Sequence, residues 1–191
     1  TMGADIKTTN GTPPIYINKV EKLIGINYEM PVNSAQVKSA ILLAGLFAEG
    51  TTRIIEPVKT RDHTERMLAS FTDTNLTQSD HIKVEGGLAL NAQKILIPGD
   101  ISSAAFFLVA ATIVKKSDIL IRNVGINETR SAIIDILLEM GANIEIRNQT
   151  IVCNEPVCDI RVRSSNLKGI NISQSKTANA IDEFPIIAIA A

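Results

Sequence analysis

At 191 residues, 45% of them hydrophobic and 20% charged, the chain is long enough to bury a core without disulfide or metal staples. Lys and Arg number 19 against 20 Asp and Glu, a net charge of −1 that exerts no global pull on nucleic acid or acidic lipid, so an anionic ligand has to be held by a few local groups. Aromatic residues at 4%, with no Trp, argue against a base-stacking surface.

The longest apolar run, residues 104–114, falls short of the roughly 20 residues of a membrane span, and the N-terminus lacks a basic-then-apolar leader. The expectation is a cytoplasmic protein with neither membrane nor nucleic acid among its partners. Cys153 and Cys158 are too few for a disulfide framework and have no second pair for a zinc site, so both read as reduced core thiols.

The chain repeats itself. Met2-Gly3-Ala4-Asp5-Ile6 returns as Met140-Gly141-Ala142-Asn143-Ile144, and Pro31-Val32-Asn33-Ser34 before one apolar helix matches Pro98-Gly99-Asp100-Ile101-Ser102 before another. A module of about 70 residues therefore recurs, built of short strands, a Ser-bearing loop, a helix, a strand and a second helix. In chain order, residues 4–8, 15–18 and 25–29 read as strands, and 34–48 as a helix stopped by Gly50. A strand over 52–56 follows. Asp62-His63-Thr64-Glu65 then has the spacing of a capping box, with Glu65 reaching back to the start of a helix. The second module offers strands at 82–85 and 94–97, a helix at 103–114 and a strand at 118–123. A helix at 128–140, capped by Asn127 and closed by Gly141, completes it. Beyond it come strands at 143–147, 150–153, 159–163 and 169–173, and a helix whose N-cap is Asp182, with Pro185 in its first turn. The chain stops at Ala191 inside an apolar run with no C-cap, so a piece from the middle of a longer protein is expected.

Four places carry potential chemistry. Ser34-Ala35-Gln36 opens a helix, where unpaired amides and the dipole favour an anion; ordinary N-capping by Ser34 explains the same pattern. Arg61 stands beside the next helix start, a poor place for a cation unless an anion or carboxylate joins it. Asp182 and Glu183 form a carboxylate pair at the head of an apolar helix, suited to proton transfer, with N-capping again the plain alternative. Gly99 to Ser103 lacks the spacing of a nucleotide loop and reads as a structural cap or hinge. His63 reads as part of a cap; His81, Lys38 and Lys168 show no pattern of their own.

Taken together, PVNSAQVKSAILLAGLFAEGTT, EPVKTRDHTERML, PGDISSAAFFLVAA and DEFPIIAIAA resemble the 5-enolpyruvylshikimate-3-phosphate synthases, in the bacterial form with Ser-Ala-Gln, along essentially the whole chain. The resemblance implies an α+β fold, an enolpyruvyl transferase-like α/β prism or inside-out barrel of repeated βαβαββ units, with two domains in the full protein and ligands bound in the cleft. Residues 1–98 would be the later part of one domain and 99–191 the beginning of the other. It further implies a transferase of aromatic amino acid biosynthesis. The enzyme would move the enolpyruvyl group of phosphoenolpyruvate onto the 5-hydroxyl of shikimate 3-phosphate and release phosphate, as a monomer with no cofactor and no metal. Residue by residue, Ser34 and Gln36 match shikimate 3-phosphate contacts, with Gln36 also reaching toward phosphoenolpyruvate. Ala35 matches a backbone contact and Arg61 a second contact to shikimate 3-phosphate. Asp182 matches the carboxylate that binds the shikimate hydroxyls and serves as the catalytic base.

The family's amino-terminal Lys-Ser and Arg segment, its Gly-rich segment and its late Glu, Lys and Arg have no counterparts here, so the fragment alone is expected to be inactive. Two other readings remain: an enolpyruvyl transferase acting on UDP-N-acetylglucosamine, and a non-catalytic binding module of the same fold.

Overall fold

A computed structural model describes every residue except Thr1, Asp73 and Ser79, together with all side chains of the described residues but those of Gln174, Ser175 and Ala178. The chain divides into two compact units, Thr1–Gln93 and Lys94–Ala191.

In the first unit, β1 (Asp5–Thr9) and β2 (Thr12–Asn18) form an antiparallel hairpin. Its turn residues Asn10 and Gly11 both have positive φ, the backbone sense that matches the strand twist. β3 (Leu23–Ile24) pairs in parallel with β5 (Ala48–Glu49), while β4 (Asn27–Glu29) pairs in parallel with β6 (Thr51–Ile55). β7 (Ile82–Glu85) closes the latter sheet antiparallel to β6. Two helices, α1 (Ala35–Gly45) and α2 (His63–Thr72), contribute Leu42 and Leu68 to a core shared with Met30, Leu46, Ile54 and Val84.

The second unit holds α3 (Ile101–Ile113), β8 (Asp118–Gly125), α4 (Ala132–Glu139), β9 (Asn143–Val152) and β10 (Glu155–Arg163). α5 (Gln174–Thr177), a 3-10 turn over Ala178–Glu183, and α6 (Phe184–Ala190) follow. β10 lies between β8 and β9, antiparallel to both. Leu108, Val109, Ile133, Ile136, Leu137 and Ile160 are fully buried. Each such side chain contributes about 1.5–3 kcal/mol of transfer free energy.

The repeat read in the sequence has a structural counterpart. In the first unit β6 follows α1, precedes α2, and takes β4 in parallel and β7 antiparallel. In the second, β8 follows α3, precedes α4, takes β10 antiparallel, and receives the segment before α3 through a parallel bridge between Gly99 and Val124.

Several expectations need correction. Of the strand over 25–29 only β4 (Asn27–Glu29) forms, while Gly25 is packed so closely on Thr51 that a Cβ would lie 2.3 Å from its carbonyl oxygen. α1 ends at Gly45, because the chain turns into β5 before Gly50. Residues 94–97 form no strand; only Gly99 is bridged, and Leu96 and Ile97 stay exposed, so a short apolar run without a pairing neighbour does not make a ladder. Residues 169–173 are likewise not a strand. Asn127 does not cap a helix over 128–140. Its Oδ1 accepts from the Thr129 N–H at 2.9 Å and closes a local turn, and α4 begins four residues later than expected. The two strands over 143–153 are one continuous β9, joined to β10 through Cys153 and Asn154, both at positive φ. Cys158 is buried as expected, but Cys153 is only half-buried at that turn; both are free thiols. Asp182 is not an N-cap: it lies inside the 3-10 turn, and Glu183 occupies the cap position of α6.

Candidate functional site

Ser34 sets the start of α1. Its backbone is extended, its hydroxyl accepts from the Val37 N–H at 3.4 Å, and it donates to Gln36 Oε1 at 3.2 Å. The capping alternative is therefore physically present, and it orients Gln36 at the same time. No acidic residue stands in the first turn, so the positive end of the helix dipole meets no carboxylate of its own helix. Ala35 is half-buried and Gln36 is exposed.

One turn on, Lys38 is entirely buried. Its ammonium pairs with Glu65 Oε1 at 2.7 Å and with Glu56 at 3.2 Å. Glu56 also accepts from the Thr60 N–H at 3.2 Å and the Thr60 hydroxyl at 2.8 Å. A second tie joins the Ser39 and Thr64 hydroxyls at 2.7 Å. The beginnings of α1 and α2, and the Thr60-Arg61 segment between β6 and α2, are thus held in one hydrogen-bonded body. In this unit the structure brings the Ser34-Ala35-Gln36 segment and the Arg61 segment onto a common support.

Glu65 does not complete the expected capping box, because Lys38 takes its carboxylate instead. Burial pushes the Glu65 carboxyl above its ordinary range, against the pull of the Lys38 hydrogen bond and charge. Its Oε2 has no hydrogen-bond partner among the described residues. Asp62, at the entrance of α2, receives the Arg66 Nε at 2.9 Å and lies 3.4 Å from Lys59. A pocket of about 240 Å³ beside this network is lined by Glu56, Asp62, Glu65, Asp80 and His81 among others.

Asp182 belongs to the second unit. Its side chain is 46% exposed, and its Oδ2 lies 4.0 Å from Arg130. The neighbouring Glu183 is buried and accepts a short hydrogen bond from the Ser102 hydroxyl, which itself accepts one from Arg130. Asp100 caps α3 by accepting from the Ser103 N–H at 2.9 Å, and also meets Arg130 at 3.3 Å. Partial burial works against the Asp100 carboxylate. Hydrogen bonds from Ser103 and the Ser102 N–H, with Arg130 close by, outweigh that effect and hold it below its usual range. The cap reading of residues 99–103 stands.

Lys38, Glu65, Ser102 and Arg130 were assigned no site role from sequence. Lys38 does sit four residues after Ser34, on the core face of α1, where a lysine requires a partner. Among the described residues, no three His, Cys, Asp or Glu side chains are placed to hold a metal ion, and no helix is long and apolar enough to cross a membrane.

Comparison with known proteins follows the same lines. Residues 1–191 match the family model for EPSP synthase (3-phosphoshikimate 1-carboxyvinyltransferase). A 3-phosphoshikimate 1-carboxyvinyltransferase of Legionella pneumophila (strain Corby) is 55% identical over 190 residues, covering 100% of this chain and 44% of the relative. The structure of EPSP synthase from Acinetobacter baumannii superposes with a TM-score of 0.91 at 49% identity, over 100% of this chain and 43% of that one. The enolpyruvyl transferase NikO from Streptomyces tendae matches with a TM-score of 0.71 over 99% of this chain and 46% of its own. At 18% identity it speaks for the fold alone. The α+β enolpyruvyl transferase fold is borne out, and the chain spans less than half the length of these relatives.

Proposed function

The chain belongs to the EPSP synthase family, matched over all of residues 1–191, and from that premise we propose that it supplies part of the substrate site of a 3-phosphoshikimate 1-carboxyvinyltransferase. The reaction adds the 5-hydroxyl of shikimate 3-phosphate to phosphoenolpyruvate and then expels phosphate. Addition of an alcohol to an enol phosphate needs a proton taken from oxygen and a proton delivered to the methylene carbon, and expulsion of phosphate takes a proton back from that carbon, with cationic groups and amides stabilising the phosphate and carboxylate charges. Asp182 is the base toward the 5-hydroxyl. Ser34, Gln36 and the Ala35 backbone bind shikimate 3-phosphate at the start of α1, where amides favour an anion. Arg61 supplies a cation to the same ligand.

The observation that carries this reading is the common support under the two binding segments: Lys38 and its two glutamates join the α1 start to the chain that bears Arg61. Residues 1–98 are assigned to the later part of one domain and 99–191 to the beginning of the other. The reading entails a cytoplasmic monomer that works without metal or organic cofactor, and a 191-residue piece without turnover by itself.

The test is phosphate release from phosphoenolpyruvate by a protein of the relatives' full length that carries this chain, with shikimate 3-phosphate or UDP-N-acetylglucosamine as acceptor. Release should require shikimate 3-phosphate. Asp182→Ala should lower kcat by about 10²–10⁴-fold, the range of a positioned general base. Arg61→Ala should raise the KM for shikimate 3-phosphate at least about tenfold, as expected when one partner of a charged contact is removed. Release with UDP-N-acetylglucosamine alone would transfer the chain to the other enolpyruvyl transferase activity. Release with neither would favour a binding module.

A further inference from the structure

Asp182 sits in a six-residue 3-10 turn, an element with little geometry of its own to fix a side chain. What surrounds it does. Arg130, whose side chain is only 18% exposed, faces Asp182 Oδ2 at 4.0 Å and Asp100 Oδ1 at 3.3 Å, and donates to the Ser102 hydroxyl. Ser102 passes the contact on to Glu183, the residue after Asp182, which is 2% exposed. A carboxylate at that depth is retained only when it is hydrogen-bonded and its charge is met. One guanidinium therefore ties together the first turn of α3, the turn ahead of α4 and the 3-10 turn ahead of α6, segments remote in sequence. The planar fork of arginine suits this task, since several donors leave one rigid group in different directions.

We infer that Arg130 is a positioning residue for Asp182, acting through Asp182 and through the Ser102–Glu183 relay, and not by contact with substrate. The inference rests on the proposed role of Asp182 as base. Without Arg130, Asp100 and Asp182 would lose the guanidinium that faces both, and the Ser102 hydroxyl that donates to Glu183 would lose the donor that orients it. The exposed carboxylate of Asp182 would remain but would no longer be aimed.

The experiment is a double-mutant cycle in the full-length protein carrying this chain, with kcat and both KM values measured by phosphate release and folding checked by thermal midpoint. Arg130→Met in the native background should lower kcat at least about tenfold, with the KM for phosphoenolpyruvate changed by less than about threefold. In an Asp182→Asn background the same Arg130→Met change should cost almost nothing further, because the group it positions is already lost. Arg130→Lys should recover part of kcat, and Ser102→Ala, which leaves every charge in place, should reproduce part of the loss. These two milder changes decide the matter if Arg130→Met fails to fold. A full additional loss in the Asp182→Asn background would show a merely structural role and overturn the inference, as would native kcat in the folded Arg130→Met and Ser102→Ala variants. An unmutated protein inactive with shikimate 3-phosphate would instead remove the proposed function, and this inference with it.

Discussion

Glu65 shows how a buried ionisable group can be retained for its support of a site while working against stability at neutral pH. Its carboxyl is held above the ordinary 4.5 because burial penalises the ionised form more than Lys38 favours it. The folded chain then keeps this proton to higher pH than the unfolded chain does. Its contribution to stability is fully present below about pH 4.5 and is lost as pH rises through the raised folded value. Glu65→Gln cannot ionise, so denaturant titrations between about pH 4 and 8 should show wild-type stability falling relative to this variant as pH rises. Parallel curves would mean that Glu65 titrates normally. The sequence led elsewhere, to a capping box, because the Asp62-to-Glu65 spacing fits one and nothing local reveals that Lys38 comes in from α1 to take the carboxylate. Ser34, Gln36, Arg61 and Asp182 were singled out as proposed site residues by their motifs. Arg130 was not, since a single arginine in a turn has no period or spacing, and its partners Ser102 and Glu183 lie in distant segments.

At the scale of elements, two glycines separate close approach from backbone conformation. A Cβ on Gly86 would lie 1.6 Å from the Ala48 carbonyl oxygen, where the end of β7 passes β5. Gly50 has open space around it but φ of +84, in the tight turn between β5 and β6. Gly86→Ala is expected to cost stability at the upper end of the roughly 1–3 kcal/mol typical of overpacking, since a backbone carbonyl cannot step aside as a side chain can. Gly50→Ala should cost about 1–2 kcal/mol for the left-handed conformation. Asn tolerates that region, so Gly50→Asn should recover part of the loss while Gly86→Asn should not. Denaturant midpoints of the four variants test this, and recovery at both positions would show that Gly86 is also a matter of φ. Element type was readable wherever a segment both alternates and finds a partner, as with β6, β7 and β8. It failed where a short apolar run lacked a partner, at 94–97. It also failed where a side chain preferred a local turn, as Asn127 does before α4. Helix starts were misplaced for the same reason: Asn, Asp and Ser serve turns and caps equally well.

For the molecule as a whole, the repeat and the motif order carried the fold, because each module places a helix between strands in the same sequence and the family resemblance runs through all of them. What composition could not convey is how much apolar surface this stretch of chain leaves uncovered. α3 buries Ala105, Leu108, Val109 and Thr112 on one side, yet its other side carries Phe106 at 58% exposure, Phe107 at 64% and Ile113 at 45%. A helix apolar on every face belongs in an interior. This chain spans 44% of the length of such a relative, and the prediction is that in a protein of that length the additional sequence covers this face. The 191-residue chain by itself should therefore bind an environment-sensitive apolar dye strongly, and a protein of the relatives' full length carrying it should bind far less per mole. Phe106→Ser with Phe107→Ser should lower dye binding by the short chain and leave its thermal midpoint within a few degrees, since neither side chain contributes to the core cluster. In the longer protein the same pair should be strongly destabilising, at about 3–5 kcal/mol for each buried phenylalanine lost. Equal tolerance of the pair in both lengths would show that the outer face of α3 is a solvent surface after all.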